Sequence, residues 1–320
     1  GLGDVYKRQG YTFTTYYHEP ADSTSIPYNF ITRLLVDSDN TLWVGSEQGL
    51  CRYRPETDDF RRYGEISERV GRIVQLRNGE VICCGTRVSR YDRDTDRFTD
   101  IPLRNNRYVL GAALSPDNRL FIATDTDISY IEGDSHRQTI LDPALYADFL
   151  HGSDCIVPLF FDSRGHLWVG RNGRGAMDVD LATGERTIYD SPRITDGTVR
   201  VIAEDHSGLI WLGTEVGLNA INPRSGEVQG IRQDLVNHNH LNDNAIYCIQ
   251  PDSTGNLWIG TYFGGINILR NDYSHFLWFQ PGYDGRSLRG KVIRRLIEPR
   301  PGQLWMASED GGINILDMSS

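Results

Sequence analysis

One short motif recurs along the whole chain and constrains its fold more than any other feature. Near-copies of the stretch GNLWIGTYFGGIN, residues 255–267, occur in seven rows. Successive rows are spaced by 40, 38, 47, 43, 47 and 47 residues, a period typical of solenoids and propellers. The aromatic slot of the motif is filled by Trp43, Phe121, Trp168, Trp211, Trp258 and Trp305, with Cys83 as the best match in a degenerate second row.

Each row has the same internal order, shown most clearly by the first. An alternating apolar run, FITRLLVD (30–37), is followed by a polar turn, the Trp run and a short variable loop. A third run, GLCRYR (49–54), then leads through the turn PETDD (55–59) to a fourth, FRRY (60–63). Period, residue types and flanking turns predict β-strands, and no segment offers a helix of three turns. Four short strands per row and seven rows predict an all-β, seven-bladed β-propeller with four-stranded antiparallel blades.

The two ends of the chain indicate how the ring closes. The seventh row stops after its third strand, and YTFTTYYH (11–18) lies where a preceding row's fourth strand would be. A truncated neighbouring repeat would also explain this run. We expect instead that residues 11–17 complete the seventh blade and remove its exposed edge. Residues 1–10 are a leader of uncertain status, and residues 11–320 are predicted to form a single domain with blade repeats starting near 30, 70, 109, 155, 199, 245 and 292.

The repeated half of the motif predicts a structural core. A strand covered on both faces by neighbouring blades should be continuously apolar, and Trp should fill the wedge between blades. The glycines that follow are expected where the backbone turns or approaches another segment closely. These are Gly45, Gly170, Gly213 and Gly260.

Composition excludes several classes of function. The chain is 39% hydrophobic and 24% charged, with a net charge of −10 and a pI of about 5.3, which argues against a nucleic-acid binder. Its densest basic cluster, RGKVIRRLIEPR (289–300), is typical of a strand with one exposed face. No run approaches the length of a membrane span. Without an initiator Met or an apolar signal region, the chain is expected to be a segment or a processed product. The five cysteines are predicted to be buried free thiols.

Motifs for catalysis, cofactors and metals are weak. The sequence has no G-x-S-x-G, H-E-x-x-H, Walker or kinase pattern. GRNGRG (170–175) lies between two strands and opens no helix, so it does not predict a dinucleotide site. DRDTDRF (92–98) and DSDN (37–40) lack the Gly and Glu of a calcium loop and predict tight turns. NHNH (237–240) is expected to be a solvated loop. No cofactor and no metal are predicted.

The variable loops are the candidates for ligand binding. Loops between second and third strands emerge on the same face of a propeller as the connections between blades. Aromatic side chains there stand beside charged and amide groups. This combination suits a sugar, because an aromatic ring can stack on the C–H face of the sugar and polar groups can bond the sugar hydroxyls. The candidate residues are Tyr262, Phe263, Arg171, Asn172, Arg174, Glu47, Gln48, Glu215, Glu309, Asp310, His151, His240 and Tyr283.

The row SIPYNFITRLLVDSDNTLWVGSEQGLCRY (25–53) resembles the two-component regulator propeller repeat. Its pattern is Ser-Leu-x-x-Asn, an apolar strand, Asp-x-x-Gly-x-Leu-Trp-hydrophobic-Gly-Thr and Gly-Leu, and it recurs at 240–269 and 287–316. The match weakens in rows two and three, where Trp is replaced. The resemblance implies the periplasmic sensor region of a hybrid two-component protein of the Bacteroidetes type, where such repeats sense glycan breakdown products.

That resemblance makes a sensor the leading hypothesis. The segment would bind an oligosaccharide or another small polar ligand, have no catalytic activity and signal as a homodimer to a downstream histidine kinase. It would lie in the periplasm as part of an inner-membrane protein, without membrane or nucleic-acid contacts of its own. One alternative is a propeller lyase like the streptogramin lyases, with His151, His238 or His240 as base. The other is a protein-interaction scaffold.

Overall fold

A computed structural model describes residues 13–103, 108–132, 137–150, 156–234, 240–271, 276–282 and 287–317. These residues form seven four-stranded antiparallel sheets, which confirms the predicted all-β, seven-bladed propeller. Blade 1 consists of β2 (Ile31–Val36), β3 (Leu42–Ser46), β4 (Gly49–Arg54) and β5 (Asp59–Tyr63). Blade 2 consists of β6 (Arg72–Gln75), β7 (Val81–Cys84), β8 (Val88–Asp92) and β9 (Arg97–Ile101). Blade 3 consists of β10 (Gly111–Leu114), β11 (Arg119–Ala123), β12 (Ile128–Glu132) and β13 (Gln138–Ile140).

The remaining blades repeat this order. Blade 4 consists of β14 (Leu159–Phe161), β15 (Leu167–Gly170), β16 (Ala176–Val179) and β17 (Arg186–Tyr189). Blade 5 consists of β18 (Val199–Glu204), β19 (Ile210–Thr214), β20 (Gly217–Ile221) and β21 (Val228–Ile231). Blade 6 consists of β22 (Ile246–Pro251), β23 (Leu257–Thr261), β24 (Ile266–Leu269) and β25 (Phe276–Phe279). Blade 7 consists of β26 (Ile293–Arg300), β27 (Gln303–Ser308), β28 (Ile313–Asp317) and β1 (Phe13–Tyr16).

The seventh blade is closed by the strand from the beginning of the chain. β1 pairs antiparallel with β28, and Tyr16 lies opposite Ile313. The Tyr16 ring also packs edge-on against Phe60 of blade 1, at a centroid distance of 5.2 Å. The predicted closing strand therefore completes blade 7 and contacts the next blade.

The first strands of the blades surround a central channel. They contact one another in the cyclic order β2, β6, β10, β14, β18, β22, β26 and back to β2. This arrangement makes them the innermost strands of the ring. A single-turn 3-10 helix (Pro143–Leu145) and a four-residue α-helix (Ala147–Leu150) lie between blades 3 and 4. Neither helix has the length to span a bilayer, and no other helix occurs in the described ranges.

The Trp strand of each blade is buried on both faces, as the apolar pattern predicts. Trp43, Trp168 and Trp258 are each at most 1% exposed. One assignment in the second row is wrong. Val74 pairs with Ile82 as Leu35 pairs with Trp43, so Ile82 and not Cys83 fills the aromatic slot. Cys83 lies one position further along, beside Cys84.

The cysteines of the described segments lie in the core. Cys51, Cys83, Cys84 and Cys248 are buried and form no disulfide, and Cys155 lies outside the described residues. Burial raises the pKa of the Cys84 and Cys248 thiols, with nearby arginines partly opposing the shift. These thiols are therefore protonated at neutral pH and pack as small apolar groups.

A hydrogen-bond pattern that recurs in blades 1, 4, 5 and 6 explains why an aspartate precedes the Trp by six residues in each of them. In blade 6, one carboxylate oxygen of Asp252 accepts from Trp258 Nε1 at 2.8 Å, and the other accepts from the backbone N–H groups of Thr254 and Asn256 at 2.9 Å. The same side chain therefore closes the turn and satisfies the buried indole. Equivalent pairs join Asp37 to Trp43, Asp162 to Trp168 and Asp205 to Trp211.

The glycines after the Trp run mark close approach between blades. A Cβ on Gly260 would lie 2.7 Å from Cγ2 of Ile293, the first residue of the next blade's inner strand. Gly213 has the same relation to Ile246, at 2.6 Å. The glycine therefore sets the spacing between adjacent blades at this level of the ring.

This close approach makes a testable prediction about stability. We expect Gly260→Ala to lower the free energy of unfolding by about 1–3 kcal/mol, because the added methyl must push two packed blades apart. Gly64→Ala is the matched control, since a Cβ there would meet no atom within 4 Å. Chemical denaturation of both variants measures the difference. An equal and small effect in the two would contradict the spacing role.

Candidate functional site

The turns between second and third strands surround the mouth of the central channel. In four blades the first turn residue donates its backbone N–H to the residue that precedes the inner strand of its own blade. These bonds are Glu47 to Phe30, Glu215 to Thr198, Tyr262 to Ala245 and Glu309 to Val292, at 3.0–3.2 Å. They hold the turn residues against the ring of inner strands. We call the resulting surface the channel mouth; it comprises Glu47, Arg69, Arg200, Glu215, Tyr247, Tyr262, Phe263, Arg294 and Glu309.

Three ion pairs border the channel mouth. Glu215 Oε1 lies 2.5 Å from Arg200 Nε, and Glu309 is paired with Arg294. Glu47 Oε1 lies 3.0 Å from Arg69 Nε, which precedes the inner strand of the following blade. The side chains of the first two pairs are only 15–31% exposed, so solvent screens them less than ordinary surface pairs. The pairs hold charged groups in fixed positions around the opening.

An aromatic cluster joins two of these ion pairs. The Tyr247 hydroxyl donates to Glu215 Oε1 at 3.3 Å, and the Arg294 guanidinium lies 4.4 Å from the Tyr247 ring centroid. Tyr247 and Tyr262 have centroids 5.2 Å apart. Tyr262 in turn meets Phe263 edge-on at 4.4 Å, and Phe263 is 67% exposed. The mouth therefore presents an apolar face beside fixed charged donors and acceptors.

Burial raises the pKa of two tyrosines at or near this surface, Tyr247 and Tyr108. Burial, followed by the Glu215 carboxylate, raises the pKa of Tyr247. Burial also raises the pKa of Tyr108, which stands near Arg69, Glu47 and the channel. The Tyr108 hydroxyl is buried and has no hydrogen-bond partner among the described residues. Both phenols can thus donate a hydrogen bond at neutral pH.

Two of the three predicted residues of blade 4 bond the backbone of the segment that precedes this blade. Arg171 is 2% exposed, and its guanidinium donates to the Phe149 carbonyl at 2.8 Å. Arg174 is exposed and donates to the Asp148 carbonyl at 2.8 Å. Both side chains therefore hold the short helix between blades 3 and 4. Asn172, between them, is exposed.

The remaining candidates are dispersed. Gln48 is exposed, and Asp310 accepts from the Lys291 backbone N–H at 2.9 Å. The His240 carbonyl accepts from Trp278 Nε1 at 2.8 Å. His151 and Tyr283 lie outside the described residues, as does His238, the other candidate base. The structure thus brings Glu47, Glu215, Tyr262, Phe263 and Glu309 to the mouth.

Sequence reasoning missed the partners of these residues. Arg69, Arg200, Tyr247 and Arg294 stand on or beside the inner strands, where the apolar alternation indicated core. Arg294 belongs to the basic run 289–300 and lies beside the Tyr247 ring at the channel mouth. The only signal was a polar residue after the first apolar position of an inner strand, as in VRVIAED (199–205).

Asp162, His166 and Asp178 form a cluster with metal-ligand spacing on the opposite face. Their ligand atoms lie within 4.8 Å of one another. Arg164 already bonds both carboxylates, at 2.6 Å to Asp162 and 3.0 Å to Asp178, and Trp168 Nε1 bonds Asp162 as well. Within the described residues the carboxylate oxygens of this cluster are therefore already engaged by Arg164, Trp168 and His166, which lies 2.9 Å from Asp178, and the cluster forms a structural turn.

A groove of about 480 Å³ also lies on the opposite face, between blades 7 and 1. It occurs where blade 7 lacks the usual aspartate. Pro299 occupies that position, and Trp305 Nε1 instead donates to Gln303 at 3.0 Å. Arg52, Tyr53 and Arg300 also line the groove. The groove lacks the convergence of aromatic rings and ion pairs that the channel mouth has.

The comparisons with known proteins agree with this fold. Residues 25–48 and 240–263 match the family model described as two component regulator propeller. Comparison with curated protein sequences finds no match. Among solved structures, the chain is similar to a protein described as the extracellular domain of the hybrid two component system BT3049 from Bacteroides thetaiotaomicron. That pair has 18% identity and a TM-score of 0.76, over 96% of this chain and 42% of the other.

Two further solved structures are similar to this chain at comparable TM-scores. The extracellular domain described for the hybrid two component system BT4673 of the same organism has 18% identity and a TM-score of 0.75, over 95% of this chain and 39% of the other. Virginiamycin B lyase from Staphylococcus aureus has 12% identity and a TM-score of 0.71, over 96% and 99%. The chain thus spans about two fifths of the Bacteroides structures. At these identities the likeness shows the fold, and the matched segments show that this seven-bladed propeller carries repeats of the two-component regulator propeller family.

Proposed function

We propose that this propeller is the ligand-sensing part of an extracytoplasmic two-component sensor and that it binds an oligosaccharide at the channel mouth. The observation that carries the proposal is the convergence of Tyr247, Tyr262 and Phe263 with two rigid Arg–Glu pairs. Exposed rings offer a stacking face for a sugar, and paired charged groups offer hydrogen bonds to its hydroxyls. The family match and the likeness to extracellular domains support the sensor role.

The signalling role follows if ligand binding favours one of two states of a larger protein. A ligand shifts such an equilibrium only by its difference in affinity for the two states. In the proposed sensor, the propeller would bind the glycan in the periplasm. The full-length protein, as a homodimer, would pass the shift to a downstream histidine kinase and phosphorelay. The propeller itself would perform no catalysis.

A panel of oligosaccharides tests the binding proposal by thermal shift. A ligand present at 100 times its Kd should stabilise the protein by about 2.7 kcal/mol, which corresponds to a rise in melting temperature of roughly 4 °C for a chain of this size. The rise must depend on ligand concentration. If no glycan shifts the melting temperature and the parent gene encodes no kinase, the proposal fails.

We expect Phe263→Ala to weaken glycan binding about tenfold while leaving the melting temperature of the free protein unchanged, because the ring is largely exposed. Val216→Ala is the matched control, since Val216 holds the equivalent turn position in blade 5 and is 41% exposed. Calorimetric titration of both variants measures the affinities. A fall in stability for Phe263→Ala would make the residue part of the core.

The lyase alternative has the fold likeness to virginiamycin B lyase in its favour and no catalytic geometry in the described residues. Its candidate bases His151 and His238 lie outside them. Incubation with a streptogramin B antibiotic, followed by mass spectrometry, tests it directly. Ring opening that depends on one of these histidines would favour the lyase over the sensor.

A further inference from the structure

Three arginines occupy one level of the channel wall. Arg33, Arg72 and Arg295 each stand on an inner strand, opposite the residue two positions after the Trp slot. They belong to blades 1, 2 and 7, which are neighbours in the ring, so the three lie on one side of the channel. The equivalent positions of the other four blades are uncharged: Gly111, Pro158, Val201 and Cys248.

These three guanidinium groups have spare donors. Each one donates Nη1 to a carbonyl of its own chain segment, that of Thr32, Gly71 or Arg294. Within the described residues, none of the three forms an ion pair with a carboxylate. Arg33 Nε is buried and has no hydrogen-bond partner among the described residues. The buried Tyr108 hydroxyl has none among them either. The described part of the wall therefore holds three positive charges without a matching negative one.

The charges interact through the channel. Arg72 and Arg295 belong to blades 2 and 7, which blade 1 separates, so their side chains can approach only across the inner wall. Burial, and then the positive charge of Arg295, lowers the pKa of Arg72 to about 9. Burial lowers the pKa of Arg295; Cys248 opposes this shift, and the charge of Arg294 adds a smaller lowering effect. Like charges in a poorly solvated site repel one another unless an anion is present.

The carboxylates around the opening do not neutralise this wall. Glu47, Glu215 and Glu309 are paired with Arg69, Arg200 and Arg294. Asp243 and Asp310 accept hydrogen bonds from backbone N–H groups of neighbouring loops. The positive wall also stands out against a chain whose overall charge is −10.

We propose that Arg33, Arg72 and Arg295 form a binding site for an oxyanion inside the channel. Planar guanidinium groups with free N–H pairs match the geometry of phosphate, sulfate and carboxylate. The anion could be a free ion or the charged group of a ligand that enters through the mouth. The site rests on the channel arginines and not on the glycan proposal.

Titration calorimetry at low ionic strength tests the site, with inorganic phosphate, sulfate, glucuronate and glucose as probes. We expect at least one of the three anions to bind the wild-type protein and glucose to bind at least tenfold more weakly. The double variant Arg72→Gln/Arg295→Gln should bind anions more weakly, by about tenfold or more for each arginine replaced, because charge-assisted hydrogen bonds are lost. Arg224→Gln, an exposed arginine in a turn of blade 5, is the matched control and should bind as the wild type does.

A second measurement guards against misfolding of the double variant. Without anion, the melting temperature of the double variant should equal or exceed that of the wild type, because two like charges have been removed. Added phosphate should raise the melting temperature of the wild type by more than it raises that of the double variant. The control variant corrects for the general stabilisation that such salts cause. Phosphate binding without glucuronate binding identifies a free-ion site, and preference for glucuronate identifies a ligand's carboxylate. Absence of binding by all three anions, or equal binding by the double variant, overturns the proposal. Neutral glycans that bind the mouth while anions fail would leave the sensor proposal intact.

Discussion

Replacing Asp252 with alanine is expected to lower the free energy of unfolding by about 3–5 kcal/mol, as is typical when one partner of a buried charged network is removed. The side chain is 3% exposed and accepts bonds from Trp258 Nε1 and from two backbone N–H groups. Alanine would leave these donors buried without acceptors, at about 1–3 kcal/mol for each group that water cannot reach. Denaturant unfolding, followed by tryptophan fluorescence, measures the loss.

Blade 7 supplies the control for this prediction. Pro299 replaces the aspartate there, and Trp305 Nε1 has a single partner, Gln303. Gln303→Ala should therefore cost only about 1 kcal/mol. Equal losses for the two variants would mean that the indole bond alone matters and that the turn bonds of Asp252 contribute nothing.

The same carboxylate makes the free energy of unfolding depend on pH in the acid range. Burial raises the pKa of Asp252, but the hydrogen bonds from Trp258, Thr254 and Asn256 outweigh burial and leave the pKa below its usual value. A lowered folded-state pKa means that the contribution is fully present above the unfolded pKa of about 3.9 and is lost as pH falls through the folded value. The stability difference between wild type and Asp252→Ala should accordingly shrink below about pH 4.

Deleting residues 1–17 is expected to lower the melting temperature by roughly 10 °C or more and to promote self-association. The deletion removes β1, breaks its pairing with β28 and leaves that strand as an open edge. It also removes Tyr16, which packs on Phe60 and lies 6.3 Å from Trp305, centroid to centroid. For a chain of 320 residues such a shift corresponds to a loss of about 7 kcal/mol.

Deleting residues 1–12 is the matched control, because it keeps Phe13–Tyr16 in place. We expect that variant to melt within a few degrees of the wild type and to remain monodisperse. Calorimetry and size-exclusion chromatography distinguish the two deletions. If both melt alike, β1 does not secure the ring, and packing between blades alone holds it closed.

The fold could be predicted from the sequence because a propeller repeats one geometric problem seven times. Every blade needs a strand buried on both faces, so the apolar run around Trp258 recurs with little change. The prediction went wrong where two signals weakened together. In VICCG the aromatic residue is absent and Gly85 comes one position later than the glycine of the other rows, so alignment on the glycine puts Cys83 in the slot that Ile82 fills.

The candidate site could be predicted only in part, because sequence patterns report local structure. The turn residues Glu215 and Tyr262 were identifiable as variable positions on one face. Their partners Arg200 and Tyr247 come from inner strands, where a partly exposed polar residue has the same alternation as a core residue. The ion pair of Glu47 with Arg69 joins two blades, and the sequence of neither row indicates that these two side chains meet.

The pairing of β1 with β28 determines which contact of the protein forms late in folding. Every other strand pair joins neighbours along the chain and can form as a local hairpin. This pair joins Phe13 to Leu316, about 300 residues apart, and so raises the contact order and the entropic cost of closure. A circular permutant with new ends between two blades, and with residue 317 joined to residue 13 by a turn, would contain only local strand pairs. It would fold faster, but its ring could open without breaking any main-chain hydrogen bond of a sheet.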